Sequence, residues 1–175
     1  MEEKYGPGAF SEDGYVRDQD CFADIRYRTM PANINGCGPI AVFNLLHFLG
    51  LRPELERVYR EMDELHRLHA PGPTSMRVMR LYLGRYVPGL RETTGREEAL
   101  AAAGQSPGGV FRYREAGVPH YVSFLRQPDG RYRFFNVADG LEDCLLSMAD
   151  FGREHMKGGS VYVLTLPGPE EKEDA

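Results

Sequence analysis

Two patterns of hydrophobic residues divide this chain. In the first half, apolar residues recur at three- and four-residue spacing, which is typical of helices that bury one face. From Gly109 onward, short β-branched and aromatic runs alternate with glycine and proline, which is typical of strands joined by turns. Helices followed by an antiparallel sheet predict an α+β fold in which the two halves pack face to face.

Three main helices are predicted in the first half. The first covers residues 39–49 and is apolar nearly all round, so we expect it to be buried at the centre of the fold. Gly50 follows it at a position suited to a left-handed residue. An amphipathic second helix begins at Pro53, and a third follows a cap at Thr74/Ser75. The irregular residues before the first helix predict a wrapping segment.

The second half is predicted to be a sheet with two short helices. Pro128-Asp129-Gly130 has the composition of a hairpin turn between two of its strands. The predicted strands cover residues 109–114, 119–125, 131–137 and 160–166, and the predicted short helices cover residues 96–103 and 147–155.

Composition limits the possible classes of protein. A chain of 175 residues that is 42% hydrophobic fits one domain with a full-sized core. We expect that domain to span residues 1–166, and residues 167–175 to form a disordered acidic tail. Three cysteines, an odd number without a CxxC pair, predict neither a disulfide framework nor a zinc site.

Charge and hydropathy narrow the expected partners and location. The net charge of -5 argues against a nucleic-acid partner, which would require a basic face. The chain contains no apolar run of the ~20 residues that span a membrane. Because the first residues also lack a signal pattern, we expect a cytoplasmic protein, although removal of a leader would leave the same pattern.

One cysteine stands in a context that suggests chemistry. Cys37 lies in the run Asn35-Gly36-Cys37-Gly38-Pro39, where a loop of small residues leads into the first predicted helix. Pro39 suits the first turn because its missing N–H would lack a partner there anyway. A thiol at the positive end of a helix dipole favours the thiolate form, so Cys37 is a candidate nucleophile.

A nucleophilic thiol needs a histidine base, and that base needs an acceptor to orient it. His120 begins a predicted core strand, and the hairpin brings Asn136 or Asp139 to its side, with Asn136 the preferred partner because Asp139 falls in a turn. The other histidines fit ordinary roles: we expect a core or rim position for His47, a solvated face for His66 and His69 and exposure for His155. The pair on the second predicted helix offers only a partial set of metal ligands, so no metal or other cofactor is expected.

The order of these motifs resembles a known family. Asn-Gly-Cys-Gly-Pro-Ile-Ala resembles the nucleophile segment of papain-fold cysteine peptidases, in the branch that contains the bacteriocin leader peptidases and their stand-alone relatives. The likeness extends over residues 33–166. It also includes the segments Gly72-Pro-Thr74, His120-Tyr-Val, Asn136-Val-Ala-Asp-Gly140 and Leu146-Ser-Met-Ala-Asp-Phe151. It implies a papain-like fold with Cys37 as nucleophile, His120 as base and acid, and Asn136 as the orienting residue.

The chain departs from the family pattern at one position. The family usually carries a glutamine six residues before the cysteine to complete the oxyanion hole, and that position here is Pro31. Asn33 and Asn35 are the nearest side-chain donors, beside the backbone N–H of Cys37. Because one missing donor raises the barrier by ~3 kcal/mol, an inactive or specialised member of the family is an open alternative.

Three functions fit these residues. The first is a cysteine hydrolase that cleaves a peptide or other amide bond through a thioester acyl-enzyme. The second is an acyltransferase that uses the same triad of Cys37, His120 and Asn136 but passes the acyl group to an amine. The third is a papain-like binding module without activity. The expected partner is a peptide or amide-containing substrate, and the sequence leaves the oligomeric state open.

Overall fold

The computed structural model consists mainly of helices in the first half of the chain and of an antiparallel sheet in the second half. It describes residues 2–69, 74–115, 117–137 and 143–168. The helices in these residues are α1 (Glu2–Tyr5), α2 (Ala32–Asn35), α3 (Cys37–Phe48), α4 (Leu55–His69), α5 (Met76–Leu83), α6 (Arg96–Gln105) and α7 (Met148–His155), with a 3₁₀ turn over Gln19–Phe22. The strands are β1 (Arg26–Tyr27), β2 (Met30–Pro31), β3 (Arg91–Thr94), β4 (Gly108–Glu115), β5 (Val118–Arg126), β6 (Tyr132–Phe135), β7 (Asp143–Leu146) and β8 (Tyr162–Thr165).

Six of these strands form one antiparallel sheet in the order β3-β8-β4-β5-β6-β7, while β1 and β2 form a separate hairpin. One face of the sheet shares a core with α3, α4, α5 and the N-terminal segment. The other face shares a second core with α6 and α7. The expected α+β fold, with a helical half packed on an antiparallel sheet, is therefore confirmed.

Helix α3 is the centre of the first core, as its all-round apolar surface predicts. Every residue from Cys37 to Leu46 is buried, and the helix packs mainly against β5. The helix ends before Gly50, which adopts the expected left-handed conformation with φ of 76°. A helix without a polar face can be stable in water only when covered on all sides, and here the sheet, α4, α5 and the N-terminal segment cover it.

The N-terminal segment wraps around α3, as the sequence predicts. It is attached by Asn44, a fully buried residue in the middle of α3. The Asn44 amide accepts a hydrogen bond from the Val16 N–H and donates one to the Val16 carbonyl, each at 2.8 Å. These two bonds satisfy a buried side chain that would otherwise be costly to desolvate.

The hairpin predicted around residues 128–130 joins β5 to β6. Gln127 and Arg131 pair across the turn, and the register places Ser123 opposite Phe135. On the face toward α7, the rings of Phe134 and Phe151 stack with their centroids 3.8 Å apart. This hairpin fixes the end of β6 opposite Ser123, three residues along β5 from His120, and that position defines the candidate site.

Strands β3 and β7 are additions to the sequence prediction. Each is a four-residue strand at one edge of the sheet, and each pairs with a single neighbour among the described strands. Edge strands are short and polar in many proteins because one of their sides faces solvent. The sequence Arg-Glu-Thr-Thr of β3 therefore shows no apolar alternation that could predict it.

Candidate active site

Cys37 is the first residue of α3, at the position that the sequence predicts for a nucleophile. Close packing surrounds it, and its exposed fraction is 9%. A Cβ atom at Gly38 would lie 2.4 Å from Thr74 Cγ2, and one at Gly36 would lie 2.2 Å from the Ala32 carbonyl oxygen. The glycines on either side of Cys37 are thus required because neighbouring atoms occupy the space of a side chain.

The charge state of the thiol differs from the sequence expectation. Backbone N–H groups of Tyr121, Gly38 and Cys37 itself favour the thiolate, but desolvation by burial is larger, and the pKa of the Cys37 thiol is raised above its usual value. The helix start therefore does not produce a resting thiolate. The expectation is wrong in direction because it considered the helix dipole without the burial of the sulfur.

Tyrosine hydroxyls and a threonine enclose the start of α3. Thr74 Oγ1 donates to the Tyr27 hydroxyl at 3.1 Å, and the Tyr121 hydroxyl donates to the Thr74 carbonyl at 2.7 Å. The Tyr59 hydroxyl donates to the Gly36 carbonyl at 3.3 Å. Burial raises the pKa of all three tyrosines, so their hydroxyls stay protonated at neutral pH. These contacts fix the backbone before and after Cys37 and thereby hold the thiol in position.

His120 lies near the start of β5, half-buried, directly before the strand residue whose N–H faces the thiol. Its ring stands edge-on to that of Tyr113, its partner on β4, with the centroids 6.1 Å apart. The side chain of Tyr121, in contrast, belongs to the core around α3. The structure thus brings Cys37 to the peptide that joins His120 and Tyr121, and a direct contact between sulfur and imidazole stays a prediction.

Asn136 contacts a ring nitrogen of His120, but through its backbone and not its side chain. The Nε2 atom of His120 lies 2.7 Å from the backbone carbonyl oxygen of Asn136. The side-chain amide of Asn136 is directed to Gln19 instead: Oδ1 accepts from the Gln19 backbone N–H and Nδ2 donates to Gln19 Oε1, both at 3.0 Å. The expectation of a side-chain contact is therefore corrected to a main-chain contact. Asp139, the alternative partner, lies outside the described residues.

Gln19 is a site residue that sequence reasoning missed. Besides its bonds to Asn136, its Nε2 donates to the carbonyl of Asn33 at 2.8 Å, so it links β6 to the helix that precedes Cys37. It lies 117 positions from Asn136 in the chain, and no local pattern can reveal such a contact. The one sequence signal is Asp18, whose carboxylate caps the 3₁₀ turn by accepting from the Asp20 N–H.

The two oxyanion candidates lie in and at the end of α2, immediately before Cys37. Both Asn33 and Asn35 are half-buried. The side-chain oxygen of Asn33 is buried and has no hydrogen-bond partner in the described part of the chain. Pro31, at the usual glutamine position, ends β2 and precedes α2.

Two of the remaining histidines differ from the sequence expectation. His66 and His155 were expected at the surface and are both buried, because His66 lies on the apolar stripe of α4 and His155 on that of α7. His69 is exposed and His47 is half-buried at the rim, where Nε2 lies 2.8 Å from the Asp13 carbonyl, as expected. Within the ranges that the structure covers, no three potential ligands cluster to hold a metal ion.

A second feature of the surface lies far from Cys37. A cleft of about 800 Å³ opens beside the C-terminal end of β5, and Arg91, Gln105, Arg126 and Pro167 are among its lining residues. Cys37 begins α3 and lies beside Tyr121, in the first half of the same strand, so the cleft contributes nothing to the candidate site. No helix in the described residues is long and apolar enough to cross a membrane.

Comparisons with known proteins give a structural likeness but no sequence match. No protein-family model matches the chain, and no curated protein matches it. Among solved structures, the chain is similar to the peptidase domain of Streptococcus ComA, a bi-functional ABC transporter involved in a quorum sensing pathway. The match covers 77% of this chain and 93% of that one, with 12% identity and a TM-score of 0.47. At that level of similarity, the function of this chain rests on its own site.

Proposed function

We propose that this protein is a papain-like cysteine hydrolase that cleaves a peptide or other amide bond through a thioester acyl-enzyme. The observation that carries the proposal is the arrangement at the start of β5. The thiol of Cys37 faces the N–H of Tyr121, and the preceding residue, His120, has its far nitrogen 2.7 Å from a carbonyl oxygen.

The carbonyl contact decides which nitrogen of His120 can act as the base. A carbonyl oxygen only accepts hydrogen bonds, so in the neutral ring the proton lies on Nε2. The lone pair then lies on Nδ1, the nitrogen that must receive the thiol proton. This is the tautomer that a general base beside a nucleophile requires.

The reaction begins from a neutral thiol, because burial raises the pKa of Cys37. When the substrate is bound, Nδ1 of His120 takes the thiol proton as the sulfur adds to the carbonyl carbon. The resulting oxyanion accepts hydrogen bonds from the Cys37 N–H and from Asn33 or Asn35. The intermediate then expels the amine, which takes the proton from His120, and leaves a thioester on Cys37.

Water completes the cycle. His120 accepts a proton from the water that attacks the thioester, and the regenerated thiol receives it back as the acid product leaves. A cysteine that must be deprotonated during the reaction, beside an oxyanion site without the usual glutamine, favours a slow and selective enzyme over a general protease.

Turnover of a broad peptide library tests the proposal. Cys37→Ala should lose activity by about 10³-fold or more, because the covalent step disappears. Cys144→Ala is the matched control, since this half-buried thiol lies on the edge strand β7 and should leave turnover unchanged. Undiminished cleavage by Cys37→Ala would refute the mechanism, and rapid cleavage of many unrelated sequences would refute the selectivity.

A further inference from the structure

We propose that Gln19 and Asn136 form an amide clamp that fixes the proton of His120 on Nε2 through the main-chain carbonyl of Asn136. The carbonyl oxygen of Asn136 lies 2.7 Å from His120 Nε2. The positioning group is thus the backbone at residue 136, and Gln19 is a positioning residue that acts through it. The catalytic consequence rests on the proposed function, whereas the position of the proton on the ring does not.

The backbone conformation of Asn136 makes this contact possible. Strand β6 ends at Phe135, and Asn136 follows with φ of 59°, in the left-handed region. Asparagine adopts that region more readily than most residues other than glycine, whereas β-branched residues are strongly disfavoured there. The left-handed residue ends the extended strand and leaves its carbonyl against the imidazole.

Three hydrogen bonds hold this conformation. The Asn136 amide, in a side chain that is only 5% exposed, pairs reciprocally with the backbone N–H and the side-chain oxygen of Gln19. Gln19 in turn donates from Nε2 to the Asn33 carbonyl. The clamp therefore connects the end of β6 with the segment that leads into Cys37, and it ties the orientation of the base to the position of the nucleophile.

A main-chain acceptor differs chemically from a side-chain amide. A side-chain amide can rotate to present either nitrogen or oxygen, and so can favour either tautomer of a histidine. The carbonyl of residue 136 has no such alternative, since it accepts only. The tautomer of His120 should thus depend on the backbone conformation of residue 136 and on the clamp, rather than on the chemistry of the side chain at that position.

Nitrogen-15 NMR of the His120 ring at about pH 8, where an ordinary histidine is neutral, tests the proposal directly. We expect the Nε2–H tautomer in the unmodified protein. Asn136→Gly keeps access to the left-handed conformation and the carbonyl but removes the two hydrogen bonds of the amide to Gln19, so it should lose part of the Nε2–H population. Asn136→Val also disfavours that conformation and should lose more of it. An Nδ1–H tautomer in the unmodified protein, or a loss of Nε2–H in Asn136→Gly that equals the loss in Asn136→Val, would overturn it.

The role of Gln19 is tested with a matched pair. Gln19→Met keeps the length of the side chain but removes both of its side-chain hydrogen bonds, and it should lower the Nε2–H population of His120. Gln127→Met removes a comparable bond to the Leu125 carbonyl in the β5–β6 turn and should leave the His120 signals unchanged. An unchanged spectrum in Gln19→Met would contradict the clamp.

Kinetics separate this inference from the proposed function. If the protein cleaves peptides, Gln19→Met should lower kcat more than it raises KM and should move the acidic limb of the pH profile. A protein with the Nε2–H tautomer but no hydrolytic activity would retain the clamp and refute only the proposed function. Hydrolytic activity with the Nδ1–H tautomer would refute the clamp and leave the proposed function standing.

Discussion

The substitution Gly38→Ala tests how closely the start of α3 is packed. A Cβ atom at this position would lie 2.4 Å from Thr74 Cγ2 and 2.9 Å from both Cβ and Oγ1 of Thr74. Contacts under 3.0 Å require some atom to move. Thr74 cannot move freely, since its hydroxyl donates to Tyr27 and its carbonyl accepts from Tyr121.

The expected cost follows from two opposing effects. Overpacking a well-packed core costs about 1–3 kcal/mol. Replacing a helical glycine by alanine returns up to ~1 kcal/mol through helix propensity. We therefore expect Gly38→Ala to lower the free energy of unfolding by about 1 kcal/mol, the middle of the packing cost less the returned helix propensity.

Urea unfolding measures this cost, with the m-value showing whether the transition stays two-state. Gly104→Ala is the matched control, since it lies in α6 with no atom within 4 Å of the added Cβ, and it should be neutral or stabilising. Thr74→Ser removes the closest atom and should recover part of the loss in the double variant, with a coupling of about 1 kcal/mol. Equal stabilities of Gly38→Ala and Gly104→Ala would refute the packing argument.

Two further predictions concern the thiol and the wrapping segment. Iodoacetamide should label Cys37 more slowly at pH 7 than Cys21 or Cys144, and its labelling should accelerate only at alkaline pH, because burial raises its pKa and only the thiolate reacts. Peptide mapping checks this, and rapid labelling of Cys37 at mildly acidic pH would show a resting thiolate instead. Asn44→Ala should destabilise the fold by about 2–4 kcal/mol in urea, because both backbone groups of Val16 lose their buried partner; a loss under 0.5 kcal/mol would contradict that attachment.

Hydrophobic periodicity predicted most of the fold because it reports burial directly. The all-apolar run of α3 required a central helix, and the β-branched runs around Pro128-Gly130 required a hairpin, both of which are present. The prediction of exposed positions for His66 and His155 is wrong, because both positions continue the apolar stripes of their helices. The place of a histidine in the helical period is here a better guide to its burial than its polarity.

The parts of the site that the sequence could not predict depend on long-range contacts or on backbone atoms. Gln19 reaches Asn136 only because the wrapping segment passes the end of β6. The acceptor for His120 is a main-chain carbonyl, which every residue carries and no motif identifies. The raised pKa of Cys37 likewise reflects burial by surrounding elements, whereas the helix dipole is a local property that the sequence reveals.

A crystal structure with a peptide electrophile bonded to the protein tests the central claim most directly. The account predicts the adduct on Cys37 Sγ, with His120 Nδ1 within about 3.5 Å of the sulfur and Nε2 still on the Asn136 carbonyl. An adduct on Cys21 or Cys144, or an imidazole that stays beside Tyr113 and away from the modified sulfur, would contradict it.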